Sequence, residues 1–124
     1  MIHLDTNYLI GLVTAHSPLQ PILFGWLNTG EKLAVSTLAW SEFLNGPVTR
    51  QQVHDASAIL EDRIVVFGIF EAEMSARIFN QTERKRQRQI DCFIAATAIC
   101  ARVPLATDNQ KHFLPFVAGG LQLV

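Results

Sequence analysis

Short apolar runs alternate with longer helical stretches along this chain, and that alternation leaves few folds open to it. The runs are Ile2-His3-Leu4, Leu33-Ala34-Val35, Ile64-Val65-Val66-Phe67 and the stretch from Val103 to Thr107, where Pro104 is confined to the beginning. Short strands that read apolar throughout are buried on both faces, and strands separated by helices run parallel. The pattern predicts an α/β fold of one domain over residues 1–124, with a central parallel sheet of about five strands flanked by helices. Leu121-Gln122-Leu123 is the expected closing edge strand.

Helix boundaries are marked by their usual chemistry. A first helix runs from Asn7 to about Thr14, and a second is opened by Pro18 and Pro21 and ended by Gly30. Ser36-Thr37 caps a short helix over Leu38–Leu44, stopped by Gly46-Pro47, and Thr49 to Leu60 forms the next. Phe70 to about Thr82 and Gln89 to Ala101 are the two long helices, and Asn109–Phe113 is a helical turn. Trp26, Trp40 and Phe70 are assigned to core packing; if exposed, they would line a groove for a protein partner.

Composition bounds the function. Of 124 residues, 49% are hydrophobic and 17% charged, enough for one real core and incompatible with disorder. The formal net charge of −1 provides no global field for nucleic acid, so any such binding needs a local patch. One exists: Arg84, Lys85, Arg86 and Arg88 supply four of the ten basic residues. It is read as a grip for nucleic-acid phosphates, against a solvated helix surface or a docking point for an acidic partner segment.

Cys92 and Cys100 lie on one predicted helix about 12 Å apart, too far to pair, and no His or Cys spacing suits zinc. They read as core thiols of a reducing compartment. No basic segment precedes an apolar run at the start, and no apolar stretch reaches ~18 residues, so a cytoplasmic location and no membrane contact are expected.

Four acids stand out against these apolar surroundings. Asp5 follows the first run and Asp108 the fourth, just past the carboxyl ends of parallel strands, where open α/β sheets keep their sites. Glu42 lies a turn into the helix after the second run, projecting with its apolar side, and Asp91 precedes the uncharged stretch Cys92–Ala98. Each acid alone has a simpler explanation: a helix cap for Asp5, Asp91 and Asp108, a surface glutamate for Glu42. Gathered in one pocket, they would repel by roughly 3 kcal/mol per pair at about 5 Å and an effective dielectric near 20. A divalent cation resolves that repulsion, so the chain reads as a metal-dependent enzyme. The four histidines show no catalytic pairing: His3 reads as core, and His16, His54 and His112 as surface groups.

The pieces carrying these acids resemble the PIN domain family, in particular VapC-like toxins of bacterial toxin–antitoxin pairs. They are Ile-His-Leu-Asp-Thr-Asn at the start, Ser-Thr-Leu-Ala-Trp-Ser-Glu-Phe up to Phe43, Asp-Cys-Phe-Ile-Ala-Ala-Thr-Ala from Asp91, and Leu-Ala-Thr-Asp-Asn-Gln-Lys-His-Phe up to Phe113. The resemblance implies strand order 3-2-1-4-5 and an endoribonuclease using Mg²⁺ or Mn²⁺, hydrolysing RNA with a metal-activated water to leave a 5′-phosphate and a 3′-hydroxyl. Implied metal-binding and catalytic residues are Asp5, Glu42, Asp91 and Asp108, with Asp5 and Asp91 as main ligands and Thr107 alongside. Thr6 and Asn7 match the family's Thr-Asn after the first acid and join the basic stretch as substrate contacts. Implied partners are an antitoxin and a second copy of the chain. Many relatives carry a further acid one turn beyond the third; here those positions are Ile94 and Ala95, which favours one firmly held ion.

Two other readings compete. A receiver-like signalling domain needs an Asp after the third strand, where this chain has Gly68-Ile69-Phe70. A catalytically inactive PIN-like scaffold that binds a partner protein is the alternative to the nuclease, and the intact acids speak against it.

Overall fold

In the computed structural model, which describes residues 1–124, the central strand is β1 (Ile2–Leu4), with all three residues buried. It pairs in parallel with β2 (Leu33–Ser36) on one side and β4 (Leu105–Ala106) on the other, and β3 (Ile64–Val65) pairs with β2. The sheet order is β3-β2-β1-β4, all parallel. Leu123 adds a parallel bridge to Leu105, held by Gln122 and Val124 backbone bonds of 2.9 and 3.0 Å. The fifth strand is thus a single bridge in the expected position, and the ladder proper has four strands.

Local chemistry sets the helices between these strands. After β1, Asp5 caps α1 (Thr6–Val13), and α2 (Gln20–Asn28) begins with Pro21 near its N-terminus. Gly30 follows at φ +86°, a left-handed turn conformation that glycine adopts without strain. Ser36 caps α3 (Thr37–Asn45) by accepting from Ala39 N–H at 3.0 Å. Thr49 and Gln52 form a reciprocal capping box at the start of α4 (Arg50–Leu60). α5 (Ile69–Gln81) packs extensively along α6 (Gln89–Ala101), and a 3-10 turn at Arg86–Arg88 leads into α6. The chain finishes with α7 (Gln110–Phe113) and a 3-10 segment at Leu114–Gly119. The chain runs outward from β1 through β2 to β3 and then returns, through α5 and α6, to β4 on the other side of β1.

The core joins both layers. Leu4, Leu9, Leu33, Phe43, Leu60, Leu105 and Phe113 are fully buried, as are the α6 alanines Ala95, Ala96 and Ala98. These small side chains allow α6 to lie close to its neighbours. No helix is long and apolar enough to cross a membrane.

Two expectations fail here. The run Ile64–Phe67 is a strand only at Ile64 and Val65, because β2 gives way to α3 at Thr37 and leaves no ladder partner beyond Ser36. Phe67 N–H bonds to Thr37 Oγ1 instead, at 3.2 Å. Phe70 is 77% exposed rather than packed in the core, beside Val66 at 69% and Ile69 at 76%. Trp26 and Trp40 are half-buried as expected, stacked on Tyr8 and tilted against Phe43 respectively.

A candidate acidic active site

The register that pairs Leu4 with both Val35 and Ala106 brings the next residues of three strands to one edge of the sheet. Those residues are Asp5, Ser36 and Thr107. Asp5 is only 6% exposed, and its two oxygens do different work. Oδ1 accepts from Thr6 N–H at 2.8 Å, capping α1, while Oδ2 accepts from the buried Thr107 hydroxyl at 2.8 Å. Thr107 Oγ1 in turn accepts from Asn109 N–H at 3.0 Å, which fixes its rotamer. A carboxylate has about four acceptor positions, so Asp5 retains unused lone pairs.

Glu42 reaches the same edge from α3. Its Oε1 accepts from the Thr6 hydroxyl at 2.7 Å, tying α3 to the start of α1. The side chain is exposed, not turned inward with the apolar face as expected: Ala39 and Phe43 are the residues α3 buries, and Glu42 flanks them. Asp91 stands in the first turn of α6, half-buried.

The electrostatics connect these three acids. Burial pushes the Asp5 carboxyl above the usual carboxylate range, against the pull of its bonds from Thr107 and Thr6, and the charge on Glu42 pushes the same way. Asp91 is also raised, first by burial and then by the charge on Asp5, with Glu42 adding to it and His112 and Arg88 opposing. One buried and one half-buried acid raised in this way bring hard oxygen donors to one edge of the sheet. Its nearest cationic influences are Arg88 and, when protonated, His112.

The remaining expected residues divide. Asp108 is exposed and forms no hydrogen bond with the other acids; its charge acts on Tyr8. Asn7 is exposed in the first turn of α1. In the basic stretch, Arg84 lies over the Phe79 ring and bonds to Asn80, and Lys85 pairs with Glu83. Arg86 and Arg88 enter no ion pair.

His112 lies at the surface as expected, its side chain 43% exposed, but sequence reasoning did not place it beside Asp91. Its Nδ1 is 3.6 Å from Asp91 Oδ2 and 2.6 Å from Asn109 Nδ2. The available signal was its spacing: three residues after Asn109 in a helical turn beginning beside Asp108 returns a side chain toward the turn's start. His3 is buried as expected, with Nε2 lacking any partner and burial lowering its pKa to about 4.

Fit to a divalent cation can be judged from this donor set. No three His, Cys, Asp or Glu side chains form a ready-made cage. Mg²⁺, however, is commonly held by one or two carboxylates with several retained waters and substrate phosphate, so Asp5 and Asp91 suit it without a cage. All-oxygen acid donors match Mg²⁺ or Mn²⁺ and not the thiolate or imidazole preferences of softer metals.

Fold and site define a parallel α/β protein with acids at the carboxyl edge of its strands. The profile of the PIN domain family matches residues 2–114, and the chain belongs to that family. Comparison with curated protein sequences gives no significant match. Among solved structures, a toxin–antitoxin complex from Klebsiella pneumoniae contains a chain 27% identical, at TM-score 0.73, covering 92% of this chain and 91% of that one. FitAcB from Neisseria gonorrhoeae is similar at TM-score 0.73 and 22% identity, covering 99% and 96%. VapBC2 from Rickettsia felis, bound to a DNA fragment from its promoter, is similar at TM-score 0.70 and 20% identity, covering 100% and 98%.

Proposed function

We propose that this PIN domain is a divalent-cation-dependent endoribonuclease and the toxin of a toxin–antitoxin pair. The observation that carries the reading is the meeting of three acids at the carboxyl edge of the sheet: Thr6 bonds both buried Asp5 and Glu42, and half-buried Asp91 is raised by the charges on both. Asp5 and Asp91 would hold Mg²⁺ or Mn²⁺. When bound, the ion supplies charge stabilisation at phosphoryl oxygens and a more acidic water.

The chain's own groups supply position. Thr107 and Thr6 N–H fix the Asp5 carboxylate, and Thr6 Oγ1 fixes one oxygen of Glu42. The other oxygen of Glu42 would accept a proton from the attacking water. That water's oxygen bonds phosphorus as the P–O3′ bond breaks, leaving a 5′-phosphate and, once the departing oxygen takes a proton, a 3′-hydroxyl. His112, with Nδ1 3.6 Å from Asp91 Oδ2, would orient that carboxylate, and exposed Asp108 would contribute through water. Arg86 and Arg88, free of ion pairs, would hold flanking phosphates, with Arg84, Lys85, Thr6 and Asn7 as weaker contacts.

An antitoxin partner is supported by the toxin–antitoxin complexes that share this fold. Exposed Val66, Ile69 and Phe70 supply apolar surface of the kind a protein partner covers. The test is purified protein with short RNA, with Mn²⁺ or with chelator, beside Asp91→Asn. Cleavage that needs the ion and fails in the variant supports the reading; cleavage surviving in chelator removes it.

A further inference from the structure

We propose that the cavity beside the first turn of α6 is a base-recognition subsite, accepting one nucleobase of the RNA strand whose scissile phosphate lies at Asp5 and Asp91. The proposal rests on the nuclease reading above. The cavity has a volume of about 340 Å³ and is lined by Phe79, Gln81, Thr82, Arg88, Cys92 and Phe116, among others. That is the small end of the range for ligand pockets, the size of a base with its sugar and not of a folded partner.

Its position ties it to the acids. Cys92 lines the cavity and is the neighbour in sequence of Asp91, while Arg88, one turn earlier, lines it and acts electrostatically on Asp91. Cavity and acid site therefore both adjoin the first turn of α6.

Its chemistry selects a base. Single-stranded RNA is read by stacking splayed bases on aromatic rings and bonding their edges. Half-buried Phe79, with Arg84 over its ring, provides the aromatic surface, and buried Phe116 closes the floor. The exposed Gln81 amide offers both a donor and an acceptor. Thr82 Oγ1 donates to Phe79 O at 3.1 Å, which leaves its oxygen as an acceptor. Lys85 also lines the cavity but is paired with Glu83, so Arg88 is its one cation outside an ion pair. One cation serves a single phosphate and does not make a phosphate-only site.

The experiment titrates the four nucleoside 5′-monophosphates, and separately inorganic phosphate, into metal-free protein in chelator, followed by ¹H–¹⁵N NMR. One base should bind about fivefold more tightly than the weakest, the worth of one net hydrogen bond, with shifts at Thr82, Arg88 and Cys92. Gln81→Ala should bring that ratio near unity, and Arg88→Gln should weaken all four nucleotides alike. Inorganic phosphate acting as strongly as the nucleotides, or no shifts at Thr82 and Cys92, overturns the subsite. Base-selective binding without RNA cleavage in Mn²⁺ would overturn the nuclease reading; cleavage without nucleotide binding here would overturn the subsite alone.

Discussion

The Thr107 hydroxyl donates to Asp5 Oδ2 at 2.8 Å, joining residues 102 positions apart at the ends of adjacent parallel strands. The bond is buried and goes to an ionisable group, so it lowers the Asp5 carboxyl against the push of burial. Thr107→Val keeps the shape and removes the donor. Cleavage should fall about 10–100-fold, the usual effect of losing a group that orients a metal ligand. Thr107→Ser should restore most of it. Equal loss in Val and Ser variants, measured as kcat/KM on one RNA, would mean that packing and not the hydroxyl matters.

Asp5→Asn separates function from stability. A carboxyl raised in the folded state contributes most favourably below the ordinary Asp range, and its contribution declines as pH rises through the raised value. At neutral pH in chelator, the charge on Asp5 therefore works against the fold. Asn caps helices as well as Asp does, so α1 keeps its start. The variant should melt higher than wild type in chelator at pH 7 and show no such advantage at pH 3, while losing nearly all cleavage. A lower melting temperature at pH 7 would contradict this.

His3 should make the protein acid-sensitive. It is buried without a partner for Nε2 and its pKa is lowered to about 4, so the folded state holds it neutral where the unfolded chain would protonate it. Stability is then full above the ordinary value near 6.5 and falls as pH drops toward 4, by roughly 3 kcal/mol from this group. Denaturant unfolding of His3→Leu should lack that part of the pH slope. A variant with the wild-type slope would assign the sensitivity elsewhere.

Arg88 and Lys85 should differ in their grip on RNA. Arg88 enters no ion pair and influences Asp91, whereas Lys85 is held by Glu83. Arg88→Gln should make the slope of log affinity against log salt shallower by about 0.7, the single-strand value for one phosphate contact. Lys85→Gln should change it less. Fluorescence anisotropy of labelled RNA between low and moderate salt measures both, and equal effects would refute the distinction.

The sequence carried the fold well because its signals were local and mutually consistent. The bounds of α6 are the expected Gln89–Ala101, and Ser36, Thr49 and Gly30 mark turns and caps where their chemistry requires. Ile64–Phe67 was over-read because β-branched composition reports propensity, while a ladder also needs a neighbour, and β2 ends at Ser36. Of the acids, Asp5, Glu42 and Asp91 come together, but the exposure of Glu42 depends on how α3 meets α1 and could not be read from α3 alone. His112 was missed for a related reason: its approach to Asp91 is set by the packing of α7 on α6. Phe70 looks like a core residue by type, and only the tertiary structure shows that nothing in the chain covers it.

The most direct test is calorimetric titration of Mn²⁺ into metal-free wild type, Asp5→Asn and Asp91→Asn. The account predicts binding by the wild type and a large loss of affinity in each variant, because the Asp5 and Asp91 carboxylates would supply the protein oxygens that hold the ion. Wild-type affinity retained in both variants would contradict it.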